Sequence, residues 1–292
     1  MAVALFDEPG PRGRRRILIG SVLAVVGVLL PLVGLIIWRL EETGQFRSAY
    51  WEPFGGAGVQ RILMKGLVAT LKAAGLALVL ALVLGVVLGV AQLAQWWPVR
   101  WLATAFVGLF RAIPLVLLIF FAFLGIPRIT GNSLEPFTAL VVGLTFYNGS
   151  VFAEIFRAGI RAVPKGQVEA AMSIGLSRTA VTRLVQLPQA VRTMLPTLVS
   201  QMVVLLKDSA LGFIVAYPEL LRSGRRIYTN VGNVIPTAMV IAAIYIVINL
   251  ALTTVATVLE RRFRAGRSTR GRRGPVSLAA PPVAADGGLS QI

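Results

Sequence analysis

The chain has 292 residues, of which 56% are hydrophobic and only 14% charged. With a mean hydropathy of +0.78 it has too few charges to cover a soluble globule, so most of it belongs in lipid. It contains no cysteine and no histidine, which excludes disulfides, thiolate nucleophiles, Fe–S and Cys/His zinc sites and the Ser-His-Asp triad, while its net charge of +17 would on a soluble protein suggest nucleic acid.

In chain order, apolar runs of about twenty residues predict six membrane spans: 17–38, 66–93, 101–125, 136–159, 194–217 and 234–259. The expected fold is therefore all-α, a polytopic membrane helix bundle. The first run follows a basic segment, residues 1–16 with Arg12, Arg14, Arg15 and Arg16. It is longer than the roughly 7–15 residues of a signal-peptide core, and it reads as a retained span. Gly85 and Gly89 in the second run permit close helix approach. Trp96, Trp97 and Trp101 mark an interface before the third. With the N-terminus inside, eighteen of the twenty-nine cations fall on the inner side and eight on the outer. The cationic bias therefore predicts a multi-pass protein of the cytoplasmic membrane with both termini in the cytoplasm. The tail, residues 265–292, lacks apolar periodicity and is expected to be disordered, its arginines serving as a membrane-side anchor rather than a nucleic-acid contact.

The segment 160–191 between the fourth and fifth runs carries the strongest pattern. Glu169-Ala170-Ala171 is followed after three residues by Gly175, and nine residues later by Val185-Gln186-Leu187-Pro188. Helix-favouring residues surround Glu169, which is expected near a helix start where the dipole welcomes an anion. Gly175 should end that helix and Ser177 cap the next, giving a short helix–turn–helix with small alanine faces. Thirty residues is long for a mere connector.

This spacing resembles the EAA loop of ABC importer permeases, E-A-A-x3-G-x9-I-x-L-P, with Val185 in place of Ile. The resemblance extends over 66–264 and is closest to polar amino acid permeases. Arg111-Ala112-Ile113-Pro114 is similar to their R-G-T-P motif. Asn148 to Arg157 is similar to N-S-x-x-Y-x-A-E-I-x-R, with Phe152 for the Tyr, and Lys207-Asp208-Ser209-Ala210-Leu211 to K-D-T-S-L, lacking the second hydroxyl. The opening Phe6-Asp7-Glu8-Pro9-Gly10-Pro11, taken with these motifs, looks most like permease subunits of actinobacterial glutamate importers. The resemblance implies a five-helix permease core with 17–38 as an extra helix. It implies that Glu169, Ala170, Ala171, Gly175, Leu187 and Pro188 form a cytoplasmic coupling helix that docks on an ATPase subunit.

Ionisable groups inside a bilayer cost roughly 2.5–3.5 kcal/mol each and need a partner or a wet cavity. Pro114 should kink the third span and free a carbonyl next to Arg111. Asn148 and Glu154 are six residues apart and serve different faces of the fourth span. Two readings stay open. In one, Arg111, Glu154 and Asp208 form helix–helix ion pairs. In the other, Asn148, Lys207 and Ser209 face a midplane passage, Arg111 or Lys207 attracts an anionic amino acid, and Gly149 and Gly212 let the backbone approach it. Arg111, Asn148, Lys207, Asp208 and Ser209 are thus the substrate-pathway candidates, with Glu154 as a structural ion-pair candidate.

The chain has no G-x-x-x-x-G-K-[ST] phosphate loop. It is expected to hold no metal or cofactor and to be no enzyme, ATP and Mg residing on partner chains. The resemblance implies two ATP-binding cassette subunits, an extracellular solute-binding protein and a second permease chain, a heterodimer being favoured over a homodimer. Glutamate is the first substrate, with glutamine or a basic amino acid as alternatives, and an ion-coupled secondary transporter or channel as the alternative from another class.

Overall fold

A computed structural model describes residues 10–232 and 234–265. The first nine residues and the tail from 266 on, where the anchor and disorder expectations fall, lie outside it. The described residues fold into helices joined by short turns, with no strand among them.

Helix α1, Pro11–Glu42, begins with a proline, whose missing N–H costs nothing in a first turn. It absorbs Arg12 to Arg16, so the basic segment is helical from Pro11 on. None of its residues is buried, and its apolar side chains, Leu23 and Leu30 among them, face outward all round.

Helix α2, Ala57–Ala91, has 35 residues and is about 52 Å long. That exceeds a hydrocarbon core of about 30 Å, and α2 starts well before the expected Gly66 because Arg61 and Lys65 mask the helix in a hydropathy window. Ala73, Ala77, Ala81, Gly85 and Gly89 recur every four residues along it and are all buried. Against this stripe lies α5, Pro136–Arg161, in the most extensive helix contact of the described residues. A Cβ on Gly85 would lie 2.5 Å from that of Phe152, and one on Gly89 3.0 Å from that of Phe156. Near the other end Lys72 sits 5.5 Å above the Phe137 ring. Rising numbers on α2 meet rising numbers on α5, so the two helices run in the same direction.

The third predicted span is broken. Helices α3, Trp97–Ala112, and α4, Leu115–Thr130, meet at 99°. Ile113 (ψ 127°) and Pro114 (ψ 133°) are extended between them, because a proline both lacks the donor and pushes the preceding residue out of the helical region. The described chain thus has five helices long and apolar enough to cross a membrane, or six if this bent pair counts as one span.

Helix α6, Lys165–Ser173, precedes a long helix α7, Arg178–Val215. The expected start of the fifth span at 194 therefore falls inside α7, which begins within the 160–191 segment and continues without a break. A π turn, Thr182–Gln186, precedes Pro188 in α7, and another, Phe121–Gly125, precedes Pro127 in α4. In both places the widened turn accommodates a ring that would clash with a regular helical carbonyl. Helix α8, Leu220–Val231, is amphipathic, with Leu220, Ser223, Gly224 and Ile227 inward. Helix α9, Val234–Ala265, follows. The core gathers Ala77, Ala81, Leu140, Leu144, Phe152, Leu205 and Tyr217 where α2, α5 and α7 meet.

Candidate functional site

The 160–191 segment is built by local chemistry. Pro164 turns the chain after α5, and α6 runs nine residues. Gly175 adopts φ +84°, its N–H donates to the Met172 carbonyl at 3.0 Å, and the Leu176 N–H donates to the Ala171 carbonyl at 3.3 Å. These two bonds form a Schellman stop, which a left-handed residue makes possible. The Ser177 hydroxyl then accepts the Ala180 N–H at 3.3 Å and caps α7, and Thr182 donates to Gln186 at 3.0 Å across the π turn. Glu169 differs from expectation, since it is the fifth residue of α6 and no acid occupies the first turn. Of the alanine pair, Ala171 is buried and Ala170 exposed. Met172, Ile174, Leu184 and Leu187 are exposed too, Ile174 at 79%. The segment presents an apolar face with one carboxylate, and Val168, Met172, Arg178, Val181, Thr182 and Gln186 line a cavity of about 220 Å³ between its helices.

Along α5 the polar residues divide into two groups. Glu154 accepts a hydrogen bond from Gln92, the C-cap of α2, at 3.0 Å and one from Arg157, while Arg111 of α3 lies 3.8 Å away. The Glu154 and Arg157 side chains are 22% and 29% exposed, and Arg111 is 48% exposed. One carboxylate thus ties three helices together next to the bend at Pro114. Asp208 is in no ion pair among the described residues. The second group centres on Asn148, which is fully buried. Its amide donates to the Leu144 carbonyl at 3.0 Å and its carbonyl oxygen accepts from Gln201 of α7 at 2.9 Å. Ser209 is also fully buried and donates to the Leu206 carbonyl. Lys207 is exposed and Asp208 half-buried. Gly149 and Gly212 face neighbouring side chains rather than open space. A Cβ would meet Leu84 at 2.8 Å and Leu140 at 2.7 Å respectively, so both are packing glycines.

Beyond the expected residues stands a network at the end of the bundle opposite the 160–191 segment. Glu219 caps α8, accepting the N–H groups of Leu221 and Arg222 at 2.6 Å each and the Tyr245 hydroxyl at 3.0 Å. Tyr217 donates to the Ala69 carbonyl at 3.0 Å, and the Leu220 N–H donates to Thr70 at 3.0 Å. Burial pushes the Glu219 carboxyl above its ordinary range while these three donors pull it down. Gln92, Gln201 and Thr70 share one signal, an amide or hydroxyl within an apolar helix, which must find a partner where no water competes.

Residues 81–265 match the family described as binding-protein-dependent transport system inner membrane component. The chain is 41% identical over 234 residues to the glutamate transport system permease protein GluD of Corynebacterium glutamicum, covering 79% of this chain and 86% of that one. It is 32% identical to the glutamate/aspartate import permease protein GltK of Escherichia coli, over 68% of this chain and 92% of that protein. Among solved structures, a crystal structure of an amino acid ABC transporter with histidines superposes with a TM-score of 0.67 at 30% identity, covering 70% of this chain and 94% of that one.

Proposed function

The chain belongs to the family of binding-protein-dependent transport system inner membrane components, and from that premise we propose that it is the pore-forming permease subunit of an ATP-driven importer carrying glutamate into the cytoplasm. The observation that carries the reading is the segment from Lys165 to Pro188, a self-closed helical hairpin with an exposed apolar face at one end of the bundle. Two ATP-hydrolysing subunits would dock there, with Glu169, Ala170 and Leu187 at the contact and Ala171, Gly175 and Pro188 shaping it. Closure of those subunits would draw the segment along and swing the attached α5 and α7, a rigid-body switch between inward- and outward-facing states. That placement would put both termini in the cytoplasm, in line with the cationic bias. A solute-binding protein would deliver substrate to the opposite end, and a second, different permease chain would complete the pore.

Within the membrane, the exposure of Arg111 and Lys207 supports a role for them as the cations that meet the substrate. Asn148 and Ser209, already bonded, would hold α5 and α7 in shape around the passage, with Asp208 flanking Lys207. The similarity to glutamate and glutamate/aspartate permeases supports the acidic substrate. The test is the ATPase activity of the purified complex, with its binding protein, against a panel of amino acids. Glutamate should stimulate it most. Stimulation by glutamine or arginine alone would overturn the substrate, and ion-driven uptake without ATPase subunits would overturn the class.

A further inference from the structure

Seen against the membrane, the outer cations are anomalous. Positive residues gather on the cytoplasmic side of such proteins, yet eight lie in segments assigned outside, and five of these converge on one cavity. Arg61 and Lys65 of α2 and Arg222, Arg225 and Arg226 of α8 line about 830 Å³ together with Gly58, Ala69, Pro218, Ser223 and Thr229. A volume of that order suits a small molecule, for which sites run about 300–1,000 Å³. The cavity lies at the start of α2, about 40 Å from the end that carries the coupling segment.

No carboxylate lines it. The acid closest in sequence, Glu219, is fully buried and turned inward, its oxygens taken by the Leu221 and Arg222 N–H groups and the Tyr245 hydroxyl. The same acid fixes the first turn of α8, and a Cβ on Gly66 would lie 2.3 Å from the Ser223 hydroxyl oxygen, so α8 is seated directly on α2. The cations are therefore held on a fixed wall rather than on a loose loop. Arg61, Lys65, Arg225 and Arg226 are exposed, Arg225 lying 5.7 Å over the Phe213 ring. Five like charges in a cleft with low-dielectric walls focus the field and raise the local concentration of anions, and the paired N–H forks of arginine match carboxylates.

We propose that this cavity is an outer receiving site for dicarboxylate amino acids, which it holds by their carboxylates at the mouth of the pathway as the binding protein releases them and before they enter the membrane. The proposal rests on the glutamate reading and deepens it. Aspartate and glutamate both fit its chemistry, whereas glutamine, with one carboxylate balanced by its ammonium, gains little from it.

Phenylglyoxal modification of the intact complex in nanodiscs, without binding protein, tests this at each arginine by peptide mass spectrometry. L-glutamate at twice its dissociation constant should slow modification of Arg222, Arg225 and Arg226 about threefold, while glutamine and sodium chloride at equal ionic strength should not. The double variant Arg225→Gln plus Arg226→Gln should abolish protection at Arg61 and Arg222. Equal protection by glutamine or chloride, or no protection by glutamate, overturns the proposal. So does protection that appears only with the binding protein, which would make the cavity a protein-docking surface. The readout does not depend on transport. A failure of the glutamate-import reading shows separately, as absent glutamate-stimulated ATPase in the unmodified complex.

Discussion

Ala216 is the one described residue other than glycine with a positive φ, at 65°. It ends the last turn of α7, with the Tyr217 N–H bonded to the Gly212 carbonyl at 3.0 Å, a place where glycine is the usual choice. A left-handed alanine costs about 1 kcal/mol, so Ala216→Gly should raise thermal stability of the purified complex by up to about that amount. An unchanged or lower melting temperature would show the strain to be absent, or offset by glycine's larger unfolded-state entropy. Lys207 is the other informative position. If it meets substrate, Lys207→Met should lower glutamate-stimulated uptake about tenfold, the effect of losing about 1.4 kcal/mol, in reconstituted vesicles. Unchanged affinity and rate would remove it from the pathway. Single residues were only partly legible from the chain. The pairing of Glu154 with Arg111 was foreseeable from the cost of a lone charge in lipid, but Gln92 and Gln201 are neutral and tens of residues from the groups they bind, so only the fold reveals them.

At the scale of elements, the helix–turn–helix of segment 160–191 was the most legible part, because its geometry is local. Gly175 and Ser177 declare a stop and a start within three residues, and the chain obeys both. What hydropathy could not reveal were the helix extents. Windows lose α2 before Gly66 and α7 before 194, since charged residues lower the average without breaking a helix. The 99° bend was foreshadowed by Pro114 as a kink but not in size, which depends on α4 packing across α5 at Gly143, where a Cβ would meet Ile119 at 2.6 Å. Glu169→Lys together with Gly175→Asp places a cation on the proposed docking face and a side chain at φ +84°. The pair should abolish substrate-coupled ATPase while leaving membrane insertion intact, measured on the purified complex. Retained coupling would sink the docking role. Between α2 and α5, Gly85→Ala should cost about 1–3 kcal/mol by overpacking, as its new methyl lands 2.5 Å from the Phe152 Cβ. Gly75→Ala, with no atom within 4 Å, should be neutral or stabilising. Equal melting temperatures for the two variants would contradict the close approach.

For the whole molecule, the charge of +17 resolves into separate groups: the majority that the cationic bias assigns to the inner side, Arg111 and Arg157 around Glu154, and five gathered in one cavity between α2 and α8. The parallel contact of α2 with α5 has a mechanical meaning. Two helices meshed through small residues over several turns cannot slide past each other without separating their backbones, so they behave as one stiff beam. That beam begins beside the cavity between α2 and α8 and ends at Arg161, from which Pro164 leads into α6. If partner subunits pull on α6 as proposed, that work would arrive at the far side as tilt rather than being lost in bending. Compliance is left to α4 and α7, which carry the π turns and, in α7, Pro196. In that division the beam would set the stroke and the proline-bearing helices would serve as its joints.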